Sequence, residues 1–376
     1  MANLMDVSDI ARMLAGQIDT LVGALLPAAV RDGNEWRVGG LDGSPGRSLC
    51  IHRHGARIGV WKDFSSHDDA GDALDLVAAV LYGGDKGKAV AWAKSWLGLD
   101  AMDPNRLKQV RAKAKAATNA AQAQMERDAA QRRKVAKAIW LEGQGIVVGD
   151  AVYNYLFGRG IDLKQLGAMP GALRFRESLE YPPAMNGDKR ESYPAMVSAI
   201  IGESGEQVAT HRTFLKDYGF GMVRKAPVRD AKLTLGSYKG GVIPVHKGIS
   251  GKPLKSAPQG DKVILCEGIE DALTLTLHAP EYRILAAIAV SNFQNLGWLP
   301  DTISDITIAA DNDPETITDA KTGEIRPHPA RLAVAAAVDM FQTQGRTVRV
   351  AYPPDGSKDF NDMIKPRDAA QGQAIK

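Results

Sequence analysis

Apolar runs and helix-period stripes alternate regularly along the last third of the chain. KVILC (262–266), YRILAAIAV (282–290), DITIAAD (305–311) and TVRVAY (347–352) each read as a strand. EDALTLTLHA (270–279) and ARLAVAAAVDMFQTQ (330–344) carry helical spacing, the second stopped by Gly345. Strands alternating with helices predict a parallel α/β sheet with both faces covered. The middle of the chain has a different rhythm. VSAIIGESGEQVATHRTFLKDYGFGMVRKAPVRDAKLTLGSYKGGVIPV (197–245) reads as a strand, a turn at Gly202 to Gly205, a strand, a turn at Gly219, a loop, and a last strand GVIPV. Before it, VYNYLFGRGID predicts a short helix with Val152, Tyr155 and Leu156 inward, ended by Gly158 or Gly160.

Near the start, SLCIHRHGARIGVWKDF (48–64) alternates like two short antiparallel strands around HGAR, and GDALDLVAAVL has helical spacing at Leu74, Val77, Ala78 and Leu81. Small strands followed by a short helix suit a compact recognition module. Between this module and the middle lies a stretch rich in Ala, Gln, Lys and Arg, with no Gly or Pro between Pro104 and Gly143. These are strong helix formers, and a long, mostly solvated helix is expected. The predicted organisation is therefore 1–100, a small α+β domain; 101–140, a basic helical linker; 141–256, a basic mixed α+β subdomain; and 257–376, the parallel-sheet domain.

Composition changes this picture little. The 376 residues carry a net charge of +3, too small to imply a polyanionic partner alone. Its distribution says more: residues 101–140 hold ten cations against three acids, and the middle region holds His211, Arg212, Lys216, Arg224, Lys225, Arg229, Lys232 and Lys239. Phosphate binding is the chemistry such clusters serve, and Lys239 in GSYKGG stands on a loop whose backbone allows close approach. Two distant cysteines, Cys50 and Cys266, give no disulfide framework and suit a reducing cytoplasm. Neither the acid-bearing N-terminus nor LVGALLPAAV reads as a signal peptide or a membrane span. Cys50, His52 and His54 alternate on one predicted strand, with His67 downstream. Structural zinc sites use paired ligands with a second matching pair. That pair is missing, so a polar strand face is expected rather than zinc. Its Arg47, Arg53, His54, Arg57 and Lys62 are candidates for a nucleic-acid backbone, and Trp61 and Phe64 for core or stacking positions.

The acids of the last third are the strongest chemical signal. In parallel α/β sheets, chemistry sits at the carboxyl ends of strands. Glu267 follows the first strand, Asp311 and Asp313 the third, and Asp359 and Asp362 the fourth. Asp311 and Asp313, two apart, point the same way in an extended segment. Converging carboxylates raise one another's pKa unless a cation meets them, and Mg²⁺ or Mn²⁺ held by carboxylates and substrate phosphates fits.

At this point LCEGIEDALTL, IAADNDPE and SKDFND resemble the Glu-Gly, Asp-x-Asp and Lys-Asp signatures of the Toprim domain. YNYLFGRGI and residues 211–245 resemble the catalytic core of bacterial, phage and plasmid primases. GVWKDFSSHDDAGDALDLVA resembles the end of the primase zinc-binding domain, here in a degenerate form without the zinc quartet. The resemblance implies a Toprim sheet packed with a basic primase-type subdomain. It implies that Glu267, Asp311, Asp313 and Asp359 are catalytic and hold Mg²⁺, with Asp362 a weaker ligand and Asp271 an orienting residue. It implies that Lys232 and Lys239, with Arg212 and Lys225 near them, face template or nucleotide triphosphate. The function implied is a DNA primase that builds short primers on single-stranded DNA, in a phage, plasmid or other mobile element. A Toprim nuclease and a non-catalytic DNA-binding replication accessory are the alternatives. The polar loop PETITDAKTGEIRPHP (314–329) is a departure from the pattern and is expected to overhang the site. No GKT or GKS phosphate loop is present, so any unwinding helicase is expected to be a separate protein.

Overall fold

The computed structural model describes residues 6–65, 69–99, 104–185, 187, 189–318, 323–354 and 356–364. The chain divides into two units, Met1–Asp128 and Ala129–Lys376.

The first unit opens with α1 (Val7–Ala15) and α2 (Ile18–Leu25). A five-stranded antiparallel sheet follows in sequence order: β1 (Val30–Asp32), β2 (Glu35–Val38), β3 (Leu49–His52), β4 (Trp61–Asp63) and β5 (Ala70–Gly71). Then come α3 (Ala73–Tyr82) and α4 (Lys86–Trp96). Asp72 starts α3 with a capping box, its carboxylate accepting from the Leu74 and Asp75 amides. Ile10, Leu14, Leu21, Leu49, Ile51, Leu74 and Val77 form the core. Leu76 is buried on α3 whereas Leu81, expected inward, is 42% exposed, because the helix turns its C-terminal end to solvent. Trp61 belongs to this core, its indole N–H donating to the Asp72 carbonyl (2.9 Å), and Phe64 is exposed.

The strand face with the histidines differs from expectation. β3 ends at His52, so His54 lies beyond the alternation and does not share a face with Cys50. Cys50 is buried against the Glu35 carboxylate, and burial followed by that hydrogen bond pushes its thiol up to about 11, the reverse of what a zinc thiolate needs. His67 lies outside the described residues. Arg53 is committed to Asp19 through two bonds of 2.7 and 2.8 Å, and Arg47 pairs with Asp32, so neither is free for a backbone phosphate.

The long helix is α5 (Pro104–Leu141). Its last turns belong to the second unit, where Ala136 is buried and its carbonyl accepts from the Thr210 hydroxyl (2.7 Å). After α6 (Ala151–Phe157), capped by Asp150, come β6 (Leu173–Glu180), β7 (Ser192–Ile201), β8 (Gln207–Asp217), β9 (Val223–Lys225) and β10 (Lys232–Gly236). They form an antiparallel sheet in the order β10-β8-β7-β6, with β9 on the end of β8. The segment read as a loop thus holds two strands. Gly219, Gly221, Pro227 and Asp230 interrupt the pattern there, and pairing with β8 supplies the order that the local pattern does not. One face of this sheet packs Tyr181, Ala195, Val197 and Phe214 beside Ile139 and Trp140 of α5. The other packs Met196, Ile200, Ala209 and Leu215 against Val152, Tyr155 and Leu156 of α6.

β11 (Ile243–Lys247), the GVIPV strand, does not close that sheet. It is the antiparallel edge of the next one, which runs β11-β13-β12-β14-β17. Pro244 has no amide to donate, which confines it to such an edge. β12 (Asp261–Cys266), α7 (Ile269–His278), β13 (Arg283–Ala286), β14 (Ile303–Ala309), α8 (Pro329–Thr343) and β17 (Thr347–Ala351) make the α/β core, with these four strands mutually parallel. Along β12 the two faces alternate. Ile264 and Cys266 pack with α7, while Val263 and Leu265 pack with Phe293, Val334, Ala337 and Phe341 on the α8 side. The polar loop 314–329 contains a small hairpin, β15 (Thr316–Thr318) with β16 (Ile325–Pro327). No helix among the described residues is long and apolar enough to cross a membrane.

Candidate active site

Parallel strands deliver the acids to one edge. β12 stops at Cys266, and Glu267 stands at the strand end before Gly268 caps α7. The Ile288 N–H at the neighbouring strand end donates to the Glu267 carbonyl (3.0 Å) and fixes it. Ile288 has φ +73°, a region that β-branched residues rarely enter. Such strain tends to collect at functional sites. After β14 come Asp311, Asn312 and Asp313. Asn312 points the other way: its amide donates to the carbonyls of Pro353 (2.9 Å) and Ser357 (2.8 Å), clamping the loop that carries Asp359. The middle residue of Asp-x-Asp therefore anchors the next acid. Arg331 on α8 fixes Asp313 by donating twice to its carbonyl (3.0 and 2.7 Å). Glu267, Asp311 and Asp313 line one small recess, and Glu267, Asp271, Asp311 and Asp359 line a larger adjoining cavity of about 230 Å³.

The opposite wall of that cavity is cationic. It comprises Arg159 after α6, His211 of β8, Lys225 of β9 and Lys232 of β10. Lys232 forms an ion pair of 2.9 Å with Glu270, a carboxylate 3% exposed that also accepts from the Tyr155 hydroxyl (2.7 Å). Burial alone would neutralise Glu270. The ion pair and hydrogen bond from Lys232, with Tyr155, outweigh burial and hold its carboxyl below the usual range. Asn361, fully buried, ties the two walls together. Its N–H donates to Asp271 (2.9 Å), its amide donates to the Arg159 carbonyl and the Thr274 hydroxyl (both 3.1 Å), and its side-chain oxygen accepts from the Arg159 guanidinium (2.8 Å). Gly160 permits this closeness: a Cβ there would stand 2.3 Å from the Ile364 carbonyl oxygen.

The two walls have opposite electrostatics. Burial and then the Glu267 charge push Asp311 up to about 6; burial and then Asp313 raise Glu267; burial, with Asp359 and Asp311 adding to it, raises Asp271 to about 6. Across the cavity, burial and then the Lys232 charge bring His211 down to about 4, so it is neutral near pH 7. Its Nδ1 shares a hydrogen bond with the Thr234 hydroxyl (3.1 Å). Carboxylates that repel one another fit a hard divalent cation such as Mg²⁺ or Mn²⁺ in donor chemistry. Among the described residues no three His, Cys, Asp or Glu groups stand together as a ready ligand set, and Mg²⁺ is ordinarily held by one or two carboxylates with water and substrate phosphates completing its shell.

Of the ten residues singled out in sequence, Glu267, Asp311, Asp313 and Asp359 come together, and Lys225 and Lys232 face three of them. Lys239 does not: it lines a separate space with Tyr238, Ser291 and Asn292. Arg212 does not either. It is buried on the other face of β8, 5.7 Å from the Phe214 ring, and its neighbour His211 takes the place facing the acids. Strand alternation decides between them, and the register of β8 was not legible. Asp271 contacts the loop of Asp359 as an orienting residue would, and Asp362 accepts from the Lys358 amide (3.1 Å). Arg159, Glu270 and Asn361 carry no assigned role in the sequence reading, and Tyr155 only a core one, although all four lie inside the segments YNYLFGRGI, LCEGIEDALTL and SKDFND. A larger cavity of about 800 Å³, lined by Trp140, Pro170, Pro244 and Trp298 among others, contains none of these acids.

Residues 262–370 match the family model of the Toprim domain, and residues 130–245 match a family described as a domain of unknown function, DUF7146. A search of the curated proteins gives no match. Among solved structures, the chain is similar to the primase fragment of the bacteriophage T7 primase-helicase protein, at 18% identity over 59% of this chain and 77% of that one, TM-score 0.35. It is similar to the zinc-binding and RNA polymerase domains of the Aquifex aeolicus primase, at 15% identity over 95% and 82%, TM-score 0.36. It is also similar to a DNA primase domain from Pseudomonas aeruginosa, at 15% identity over 62% and 74%, TM-score 0.38.

Proposed function

With residues 262–370 matching the Toprim family model, we propose that the chain is a DNA primase, joining nucleotide triphosphates into short primers on single-stranded DNA. The observation that carries this reading is the pairing of walls. The acids of the Toprim edge face Arg159, Lys225 and Lys232 across one cavity of about 230 Å³. A triphosphate needs both: cations for its phosphate oxygens, and carboxylates to hold the divalent ion it carries.

In this reading Lys225 and Arg159 bind phosphate oxygens, while Lys232, held by Glu270, keeps a fixed positive charge beside them. Glu267, Asp311, Asp313 and Asp359 would hold Mg²⁺ or Mn²⁺, which would neutralise phosphate charge and acidify the attacking hydroxyl. The 3′-hydroxyl oxygen of one nucleotide bonds to the α-phosphorus of the next as its proton passes to solvent, the α–β phosphoanhydride bond breaks, and pyrophosphate leaves. Neutral His211 adds no charge to the cationic wall near pH 7. Asn361 positions Arg159 against Asp271, so phosphate binding and the acid edge keep their spacing.

The test is incubation of the full chain with single-stranded DNA, labelled nucleotides and Mg²⁺ or Mn²⁺. Short new oligonucleotides that vanish with Asp311→Ala support the reading. Shortening of the DNA without synthesis would replace it by a nuclease, and DNA binding with neither product by a replication accessory.

A further inference from the structure

The hairpin joining β8 to β9 presents an apolar tip that the catalytic cavity does not use. Phe220 is completely exposed, and Tyr218 and Met222 beside it are about half exposed. The turn is ordered: the Tyr218 amide donates to the Met222 carbonyl (2.9 Å), the Met222 amide to the Gly219 carbonyl (2.9 Å), and the Gly219 amide to the Asp217 carboxylate (2.8 Å). Gly219, Phe220 and Gly221 have φ of +86°, +52° and +77°. Gly or Asn takes the left-handed conformation more cheaply than a bulky residue, yet an aromatic stands there, in open water. Directly below the tip, Lys216 and Arg224 are cross-strand partners, both exposed and, among the described residues, without an ion pair. The next pair is Leu215 with Lys225, and Lys225 lines the acid cavity. Five residues at about 3.3 Å each put the tip up to roughly 15 Å beyond Lys225.

We propose that this tip is a base-stacking finger for single-stranded nucleic acid. Phe220 and Tyr218 stack on bases, while Lys216 and Arg224 hold the neighbouring phosphates on the way to the cavity. The inference rests on the reading that the cavity works on nucleic acid. Flat apolar rings above paired cations match a polyanion with exposed ring faces, and a single strand offers both where a duplex hides its bases. An anionic membrane surface has the charge but no rings, and nothing leads from it to Lys225.

The experiment uses the full chain and a single-stranded oligonucleotide carrying 2-aminopurine at successive positions, with neither nucleotides nor metal added. Quenching is expected at one or two positions. Phe220→Ala with Tyr218→Ala should remove it and weaken binding roughly 5- to 150-fold for each stacked base lost, the range for base–aromatic stacking. Phe220→Trp should preserve both. Lys216→Ala should instead lower the salt slope of binding by about 0.7 per phosphate contact, with quenching kept at saturation. Binding within twofold of wild type and unchanged quenching in the double aromatic variant overturns the finger. So does a loss of binding to phosphatidylserine vesicles with oligonucleotide binding intact. Primer synthesis is scored separately. Quenching without synthesis keeps the finger and removes the primase reading, and normal synthesis without quenching does the reverse.

Discussion

Replacing Lys232 by Met removes the charge partner of Glu270, whose side chain is 4% exposed, and leaves that carboxylate with the Tyr155 hydroxyl as its remaining hydrogen-bond donor. Breaking a fully buried ion pair from one side costs about 3–5 kcal/mol. The Lys232 side chain is 36% exposed, so water screens part of the pair. The discounted cost is about 1.5–3 kcal/mol, a factor of roughly ten to a hundred or more in the folded-to-unfolded ratio. The pH dependence follows from the direction of the shift. In the wild type the Glu270 carboxyl is held below its usual range. Its contribution is therefore present above the unfolded carboxyl pKa of about 4.3 and is lost as pH falls through the lower folded value. In Lys232→Met burial dominates and the folded pKa rises above the unfolded one. The penalty is then absent at low pH and grows as pH rises through the folded value. The deficit should accordingly be largest near about pH 7.5 and shrink toward about pH 4.5. Urea titration of the full chain, read by pulsed hydrogen exchange in peptides covering Ile269–His278, isolates the second unit. Adding Glu270→Gln to Lys232→Met should recover most of the loss. A deficit below about 0.5 kcal/mol, or one equal at both pH values, would refute the buried-pair reasoning.

Arg283 is fully buried, paired with Asp261 at 2.8 Å and bonded to the Lys252 carbonyl; Arg283→Met should destabilise the second unit by about 3–5 kcal/mol in the same urea experiment. Asn361→Ala removes the side-chain bonds that hold Arg159 and Thr274 while the backbone bond to Asp271 remains, and the loosened Arg159 should slow primer formation about a hundredfold, as misplacement by about an ångström does, with DNA binding little changed by anisotropy. Zinc should be below stoichiometric in protein purified from zinc-supplemented culture, and chelator should leave the melting of the first unit unchanged, because the Cys50 thiol is held protonated by burial and Glu35.

Much of the acid edge was legible because two strong regularities coincide there. Parallel strands announce themselves by length and apolar content, and their carboxyl ends fix where Glu267, Asp311, Asp313 and Asp359 emerge. The cationic wall was half legible. Lys225 and Lys232 reach the cavity, but Arg212 and Lys239 do not, since which residue of a strand faces a site depends on register, and β10 follows the turn-forming residues Pro227 and Asp230 closely enough to be masked by them. GVIPV reads as a strand of the middle region and is one, but its pairing with β13 is a long-range choice that the edge residue Pro244 permits without announcing. Glu270 escaped notice for a related reason. A buried acid inside a helix pattern looks like a solvated position until Lys232 and Tyr155 arrive from distant segments.

The most direct measurement is template-dependent pyrophosphate release with Mg²⁺, titrated in nucleotide for wild type, Lys225→Ala and Asp311→Ala. If the two walls serve one nucleotidyl transfer, Lys225→Ala raises the nucleotide KM about tenfold with kcat nearly kept, and Asp311→Ala lowers kcat by about a hundredfold or more. Pyrophosphate release that is unaffected by both substitutions, or that needs no template strand, would contradict it.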